Sequence, residues 1–433
     1  MILTIILTIV AITLMMILIL KYPSIEIKDH SFDTFYLPIL LGAIILLIFN
    51  VFDKKELVSI LFSNSKMNPL KILSLFISIS FISISLDEAG FFAYIANKFI
   101  NRCKSNQYKL FFALYGVVSI LTIFTSNDIV ILTFTPFILY FCAHGKINPI
   151  PYLVCEFVAA NTYSILLPIG NPTNIYLTTI FNLNFIDYVL KMLIPVLIIG
   201  ISSLLALLLL FNKSLKKEIE GGSDEDITLK NKPLCIISLI ILLVTTIMLV
   251  ISNYIDIEMW IIATSSALLL LVILITYSIC KRNKSYFMNP VKRIPYSLIP
   301  FILSMFVIIM ALDSYGIFTN ISSLIERINN TNIKELIYLY SSTISCNLIN
   351  NIPMTITYGE LLCNSPSLSY IYLTIIGSNI GAILTPIGAL AGIMWMNILK
   401  HNNVDYRFND FFKNGSVIVG IILLFISIYV LIV

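Results

Sequence analysis

With 433 residues, 58% of them hydrophobic and only 12% charged, the chain has the composition of a membrane protein. Its mean hydropathy is +0.96, and apolar runs repeatedly reach the roughly 20 residues that cross a ~30 Å hydrocarbon core. About ten such spans leave no room for a soluble domain, and a net charge of +4, carried mainly by loops, gives no reason to expect a nucleic-acid partner.

In chain order, Met1 to Leu20 is apolar, lacks a basic leading segment and shows no small-residue cleavage site before Lys21, so it reads as a retained first span. Spans follow at 36–52 and 70–88. Residues 109–142 differ, because two short apolar arms flank the polar tip Thr125, Ser126, Asn127 and Asp128. Arms of that length predict a re-entrant hairpin, with irregular backbone tolerated only where protein or a water-filled cavity surrounds it. Ser126 and Asn127 offer oxygens to a ligand or cap the second arm. Asp128, set between apolar runs, is costly unless paired, hydrated or neutral. It suits cation coordination, proton carriage or a helix cap.

A long span at 151–182 is interrupted by Asn161, Pro168, Gly170, Asn171, Pro172, Thr173 and Asn174. Proline and glycine break the helical ladder and free carbonyls, beside which these side chains can act as ligands. After a span at 188–211, the charged, Gly-containing stretch 212–232 reads as a linker. Spans then recur at 233–252, 258–280 and 294–312. A second hairpin, 336–363, has a tip bearing Asn347, Asn350, Asn351 and Pro353, with Thr355 just beyond. The second broken span, 368–399, carries Ser378, Asn379, Thr385, Pro386 and Gly388, and 415–433 closes the chain.

The two breaks are copies. Asn161, Ile165, Leu166, Pro168, Ile169 and Gly170 recur as Asn379, Ile383, Leu384, Pro386, Ile387 and Gly388 at a constant offset of 218. A second anchor repeats Leu86, Asp87, Gly90 and Phe92 as Leu312, Asp313, Gly316 and Phe318 at an offset of 226. Five crossings per half is an odd number, so the second half enters from the opposite face. The predicted fold is an all-α polytopic membrane protein of two inverted repeats, each of five spans plus a re-entrant hairpin, with broken mid-membrane helices. The repeats are 1–211 and 233–433, joined by a cytoplasmic linker at 212–232. Duplicated breaks of this kind mark secondary transporters.

Lys and Arg concentrate at 98–109, in the linker, at 281–293 and at 400–413, which places these loops in the cytoplasm. Loops 182–187, 253–257 and 313–335 are then external. The loop 53–69, with Lys54, Lys55 and Lys66, is the exception on that outer side. Seven cysteines show no CxxC spacing and read as packing residues. Neither a P-loop nor a catalytic pair is present, so the chain is not read as an enzyme.

These motifs resemble the ion transporter superfamily and, within it, the arsenite permeases. Ser126-Asn127-Asp128 running to Leu132-Thr133 and Pro136 is similar to that family's Asn-Asp hairpin. Ser378 to Ala391, with Trp395, is similar to its second broken span, and Leu86 to Phe92 also fits. Pro168 to Asn174 is similar to the broken span of divalent anion/sodium symporters, related to citrate transporter-like proteins. In those symporters the hairpin tips bind sodium, whereas Asp128 and the pair Asn350-Asn351 depart from their pattern. The resemblance implies an elevator-type transporter in the cell membrane, with a scaffold, a moving transport domain and a homodimer.

The expected cargo is a small anion or metalloid, with arsenite or antimonite efflux coupled to protons or membrane potential as the leading reading. Sodium-coupled di- or tricarboxylate transport and sodium/proton antiport are the alternatives, and a separate ATPase subunit is admitted. No cofactor is expected beyond a sodium ion or proton as coupling ion. Candidate ligands are Ser126, Asn127, Asp128, Asn161, Gly170, Asn171, Thr173, Asn174, Asn350, Asn351, Thr355, Ser378, Asn379, Thr385 and Gly388. Sodium is assigned to Ser126, Asn127 and Asn351.

Overall fold

A computed structural model describes residues 1–22, 24–27, 30–49, 51, 55, 58–59, 61, 68–101, 106–216, 228–252 and 254–432. Lys54, Lys66 and most of the linker, 217–227, lie outside the described residues. Among the described residues there are nineteen α-helices and one small β-hairpin. Seven helices are long and apolar enough to cross a membrane, and eight if one bent pair counts as a single span.

The first half contains α1 (Ile2–Lys21), β1 (Ser24–Ile27), β2 (His30–Asp33), α2 (Tyr36–Ile48), α3 (Pro69–Glu88) and α4 (Phe91–Asn101). It continues with α5 (Gln107–Phe124), α6 (Asn127–Gly145), α7 (Ile150–Tyr163), a 3-10 turn at Pro168–Gly170, α8 (Pro172–Ile180) and α9 (Phe185–Leu215). The fold is α-helical as expected, and the antiparallel strands β1 and β2 are a small addition to it. They form in the connection between α1 and α2, where the β-branched Ile25 and Ile27 favour extended backbone.

The second half has ten helices to the first half's nine and no strand among the described residues. It runs α10 (Lys232–Ile251), α11 (Met259–Cys280), the short α12 (Ser285–Lys292), α13 (Leu298–Asp313), α14 (Ile317–Glu326), α15 (Thr331–Ile349) and α16 (Asn351–Asn364). Then come α17 (Leu368–Gly381), a 3-10 turn at Pro386–Gly388, α18 (Leu390–His401) and α19 (Phe408–Ile432). The Leu-Asp-x-x-Gly-x-Phe anchors are both corners. Gly90 turns α3 into α4 at φ +89°, and Gly316 turns α13 into α14 at φ +68°. That backbone region favours glycine because it has no Cβ. The second corner bends by 69°.

Polar contacts sort the helix termini into two ends. At the first end, Arg293 Nη1 meets Asp87 at 2.8 Å and Glu88 at 2.6 Å. The Asn231 amide donates to the Ala89 carbonyl at 3.3 Å, and Tyr108 bonds Asn212. Ser297 donates to Asp33 at 2.6 Å. At the opposite end, Lys71 bonds Glu258 at 2.7 Å. Lys334 bonds Glu326 at 2.6 Å, and Ser322 bonds Ser365 at 2.6 Å. The described residues flanking the basic stretches at 98–109, 212–232 and 281–293 therefore share one end. The Lys71–Glu258 pair holds the start of α3 at the other, and the loop 53–69, expected as the exception, lies mostly outside the described residues.

The same contacts place the hairpin termini. Tyr152 at the start of α7 donates to Gln107 at the start of α5 at 2.9 Å, so α5 and α6 leave and return at the basic end. Thr319 donates to Asn364 at the end of α16 at 3.3 Å, which places that terminus at the opposite end, beside the start of α15. The arms are longer than the sequence suggests. α5 has 18 residues, about 27 Å, and is apolar enough to cross, so arm length alone does not argue for re-entry there.

Candidate functional site

Each break is built the same way. A proline opens the 3-10 turn, where its missing N–H costs nothing, and the glycine closes it. A Cβ on Gly170 would lie 2.2 Å from the Ser164 carbonyl oxygen, and one on Gly388 would lie 2.9 Å from both the Gly381 carbonyl and Asn347. Only glycine lets the chain fold back this closely. Asn171 caps α8, accepting from the Thr173 amide at 3.1 Å, whereas Ala389 leaves α18 without a side-chain cap.

Asn379 joins the two breaks. Its Oδ1 accepts from Ser164 Oγ at 3.1 Å and from Asn171 Nδ2 at 2.9 Å. Its Nδ2 donates to Asn174 Oδ1 at 2.9 Å and to the Ile375 carbonyl at 2.8 Å. Beside it, Ser378 donates to Thr173 at 3.3 Å, and Asn174 donates to the Ser164 carbonyl at 2.8 Å. Ser164, absent from the predicted set, is part of this knot. All these side chains are buried and bonded to one another.

Each hairpin tip rests on the break of its own half. Asn127 Nδ2 donates to Asn161 Oδ1 at 3.1 Å, and Asn161 donates to the Phe157 carbonyl at 2.8 Å. In the second half Asn347 donates to the Gly381 carbonyl at 2.9 Å and accepts from Thr385 at 2.6 Å. Asn350, at φ +73°, donates to the Ile387 carbonyl at 3.0 Å. Thr355 donates to the Asn351 carbonyl at 2.7 Å, and Asn351 belongs to this second tip, not to that of Ser126 and Asn127.

The first tip is the one left open. Ser126 occupies the cap position of α6 but makes no cap bond, and Ser126 Oγ and Asn127 Oδ1 are buried without a partner. The capping role expected for Ser126 is thus not fulfilled by its hydroxyl. Asp128 sits in the first turn of α6, past the cap position, and no hydrogen bond or ion pair reaches its carboxylate among the described residues. Ser126 and Asp128 line a cavity of about 850 Å³. α18 also lines it, and exposed Lys292, Arg293 and His401 belong to its lining at the basic end. Of these, Arg293 is held by Asp87 and Glu88.

A sequence profile described as citrate transporter (CitMHS) matches residues 1–366. The chain belongs to the citrate transporter family. It is also 24% identical over 373 residues to the "Putative arsenical pump membrane protein" of Bacillus subtilis (strain 168), covering 79% of this chain and 83% of that one. Identity to the "Arsenical pump membrane protein" of Escherichia coli (strain K12) is 24% over 363 residues, 79% of this chain and 81% of the relative. A "46 kDa membrane protein" of Mycobacterium leprae (strain TN) is 22% identical over 406 residues, 90% and 92% of the two chains. This member of the family is a multi-pass membrane protein related to transporters.

Two buried features escape a motif search. Glu156 is fully enclosed, with Thr135 donating to its oxygens at 3.0 and 3.1 Å, and its place near a predicted span start hides that burial. The cavity also takes single polar residues from apolar helix faces, Ser80 from α3 and Asn397 from α18. No motif marks either.

Proposed function

We propose that this citrate transporter family member is a secondary transporter of the cell membrane that exports arsenite or antimonite, driven by protons or membrane potential. The observation that carries the reading is Asp128, on the wall of the cavity with no hydrogen bond or ion pair to its carboxylate among the described residues. A carboxylate there opposes a multiply charged anion, while arsenous and antimonous acids are uncharged hydroxides at neutral pH. Their O–H groups can donate to Asp128, and their oxygens can accept from Ser126. The curated relatives named for arsenical pumping support this choice of cargo.

Hairpins that return at opposite ends, and matched corners at Gly90 and Gly316, support an inverted-repeat reading. Under it, α5 and α6 form one re-entrant hairpin, α15 and α16 the other, and the knot around Asn379 makes one body of both breaks. That body slides against a scaffold containing α3, which is anchored at both ends by Lys71–Glu258 and Arg293–Asp87. The cavity at the basic end then represents a cytoplasm-facing state.

A second reading, sodium-coupled carboxylate transport, is favoured by the unpartnered oxygens of Ser126 and Asn127, which suit a hard cation, and by the family's description. Reconstitution decides between them. Purified protein in liposomes is tested for arsenite and citrate flux under imposed proton or sodium gradients. Arsenite flux that follows the proton gradient or membrane potential is expected. Citrate uptake that tracks sodium and ignores pH would replace the first reading with the second.

A further inference from the structure

The cavity is also lined by one face of α18, made by Leu390, Ile393, Met394, Asn397, Ile398 and His401. These residues follow the three-and-four spacing of a single helix face. Asn397 is the polar position between the apolar turns and the exposed rim at His401. Its side chain is half-buried, and no hydrogen bond engages its amide among the described residues. From α3 the same cavity is lined by Phe76, Ser80 and Ile84, and Ser80 is the polar member of that stripe. The Ser80 side chain is 3% exposed and likewise has no hydrogen-bond partner among the described residues.

A half-buried amide on a cavity wall with no protein partner is free to bond whatever occupies the cavity, and so is the buried Ser80 hydroxyl, which costs free energy while unbonded. Binding cavities are mostly apolar, with a few polar groups placed to orient one ligand. Ser126 and Asp128 supply such groups from one wall, Ser80 from another and Asn397 from a third. Among the uncharged ones only Asn397 provides both a strong acceptor and two fixed donors. The lining then offers hydroxyls, an amide and the Asp128 carboxylate that can bond a small hydroxylated species, with Asp33, Lys292, Arg293 and His401 also on the cavity wall.

We propose that Asn397 contacts the cargo and sets its specificity, selecting small uncharged hydroxides of the arsenous acid class over carboxylates. The proposal rests on the transport function given above. In it α18, which packs on α6, carries Asn397 together with Asp128.

The test uses the full chain in proteoliposomes, with arsenite and citrate as separate cargoes. Asn397→Ala should raise the KM for arsenite about tenfold with kcat little changed, the size of one lost hydrogen bond to cargo. Asn397→Gln, which keeps the amide, should recover part of that loss. Asn397→Lys should shift the arsenite-to-citrate preference towards citrate by at least about tenfold, since it adds a cation at the seat. Thermal unfolding in detergent should be similar for wild type and Asn397→Ala, which excludes misfolding as the cause.

An unchanged KM in Asn397→Ala, or a fall in kcat alone, overturns the assignment. If the wild type carries citrate and not arsenite, the cargo reading fails and with it the selectivity assigned to Asn397, though not its contact with cargo. The KM for citrate in Asn397→Ala then decides whether Asn397 contacts cargo. Flux of neither cargo by the wild type overturns both.

Discussion

Asn171 Nδ2 lies 2.9 Å from Asn379 Oδ1, a hydrogen bond between residues 208 positions apart. It joins two segments that each contain a break, and both partners are buried. Inside an apolar interior such amides have no water to fall back on, so loss of one strands the others. Asn379→Ala should therefore destabilise the protein by roughly 2–4 kcal/mol, because Ser164, Asn171 and Asn174 each lose a partner. The measurement is thermal unfolding of the solubilised protein. Asn402→Ala, at an exposed helix end, is the control and should be near neutral. Equal melting of both variants would remove the knot from the account.

Asp128→Asn keeps the shape of the side chain and removes its charge. Transport of arsenite should fall at least about tenfold, and its dependence on pH should flatten, while folding is retained. Initial rates across a pH series in proteoliposomes give the answer. A variant that transports and responds to pH like the wild type would show that Asp128 carries neither cargo nor proton.

Gly170→Ala should be severe, because the new Cβ has nowhere to go beside the Ser164 carbonyl. A cost of about 3 kcal/mol or more is expected, seen as loss of monodisperse protein on gel filtration. Gly116→Ala places its Cβ where nothing lies within 4 Å and should behave like wild type or better.

The sorting of helix ends predicts sidedness. In variants that retain only one introduced cysteine, Lys284→Cys should react with a membrane-impermeant thiol reagent only after the cells are opened. Asp256→Cys should react in intact cells. Both positions are exposed and sit at opposite ends of α11. Labelling of both from the same side would break the two-ended arrangement.

The breaks were legible because proline and glycine leave a mark that no burial pattern erases. Pro168, Gly170, Pro386 and Gly388 each stand where the chain leaves the helix. The Gly90 and Gly316 corners were visible as a repeated motif, though their turning role needed the backbone angles. Pairing was not legible. Nothing in the spacing says that Asn379 bonds Asn171 and Asn174 instead of remaining open for a ligand. The candidate residues therefore divide into a mutually satisfied set and an open set at Ser126, Asn127 and Asp128. Ser80 and Asn397 were invisible for a different reason. One serine among the five of α3, or one asparagine on α18, looks the same in sequence whether it faces lipid, protein or a cavity. The two strands near Asp33 were missed because four-residue segments carry too little periodicity to separate from a loop.

Asn379 is one side chain serving four partners drawn from both halves of the chain. Two breaks fastened by the Asn379 bonds and by Ser378 to Thr173 resist being parted, since separation would leave bare donors and acceptors in a buried interior. Under the proposed transport function, the duplicated sequence then predicts one turnstile per chain and one cargo per cycle.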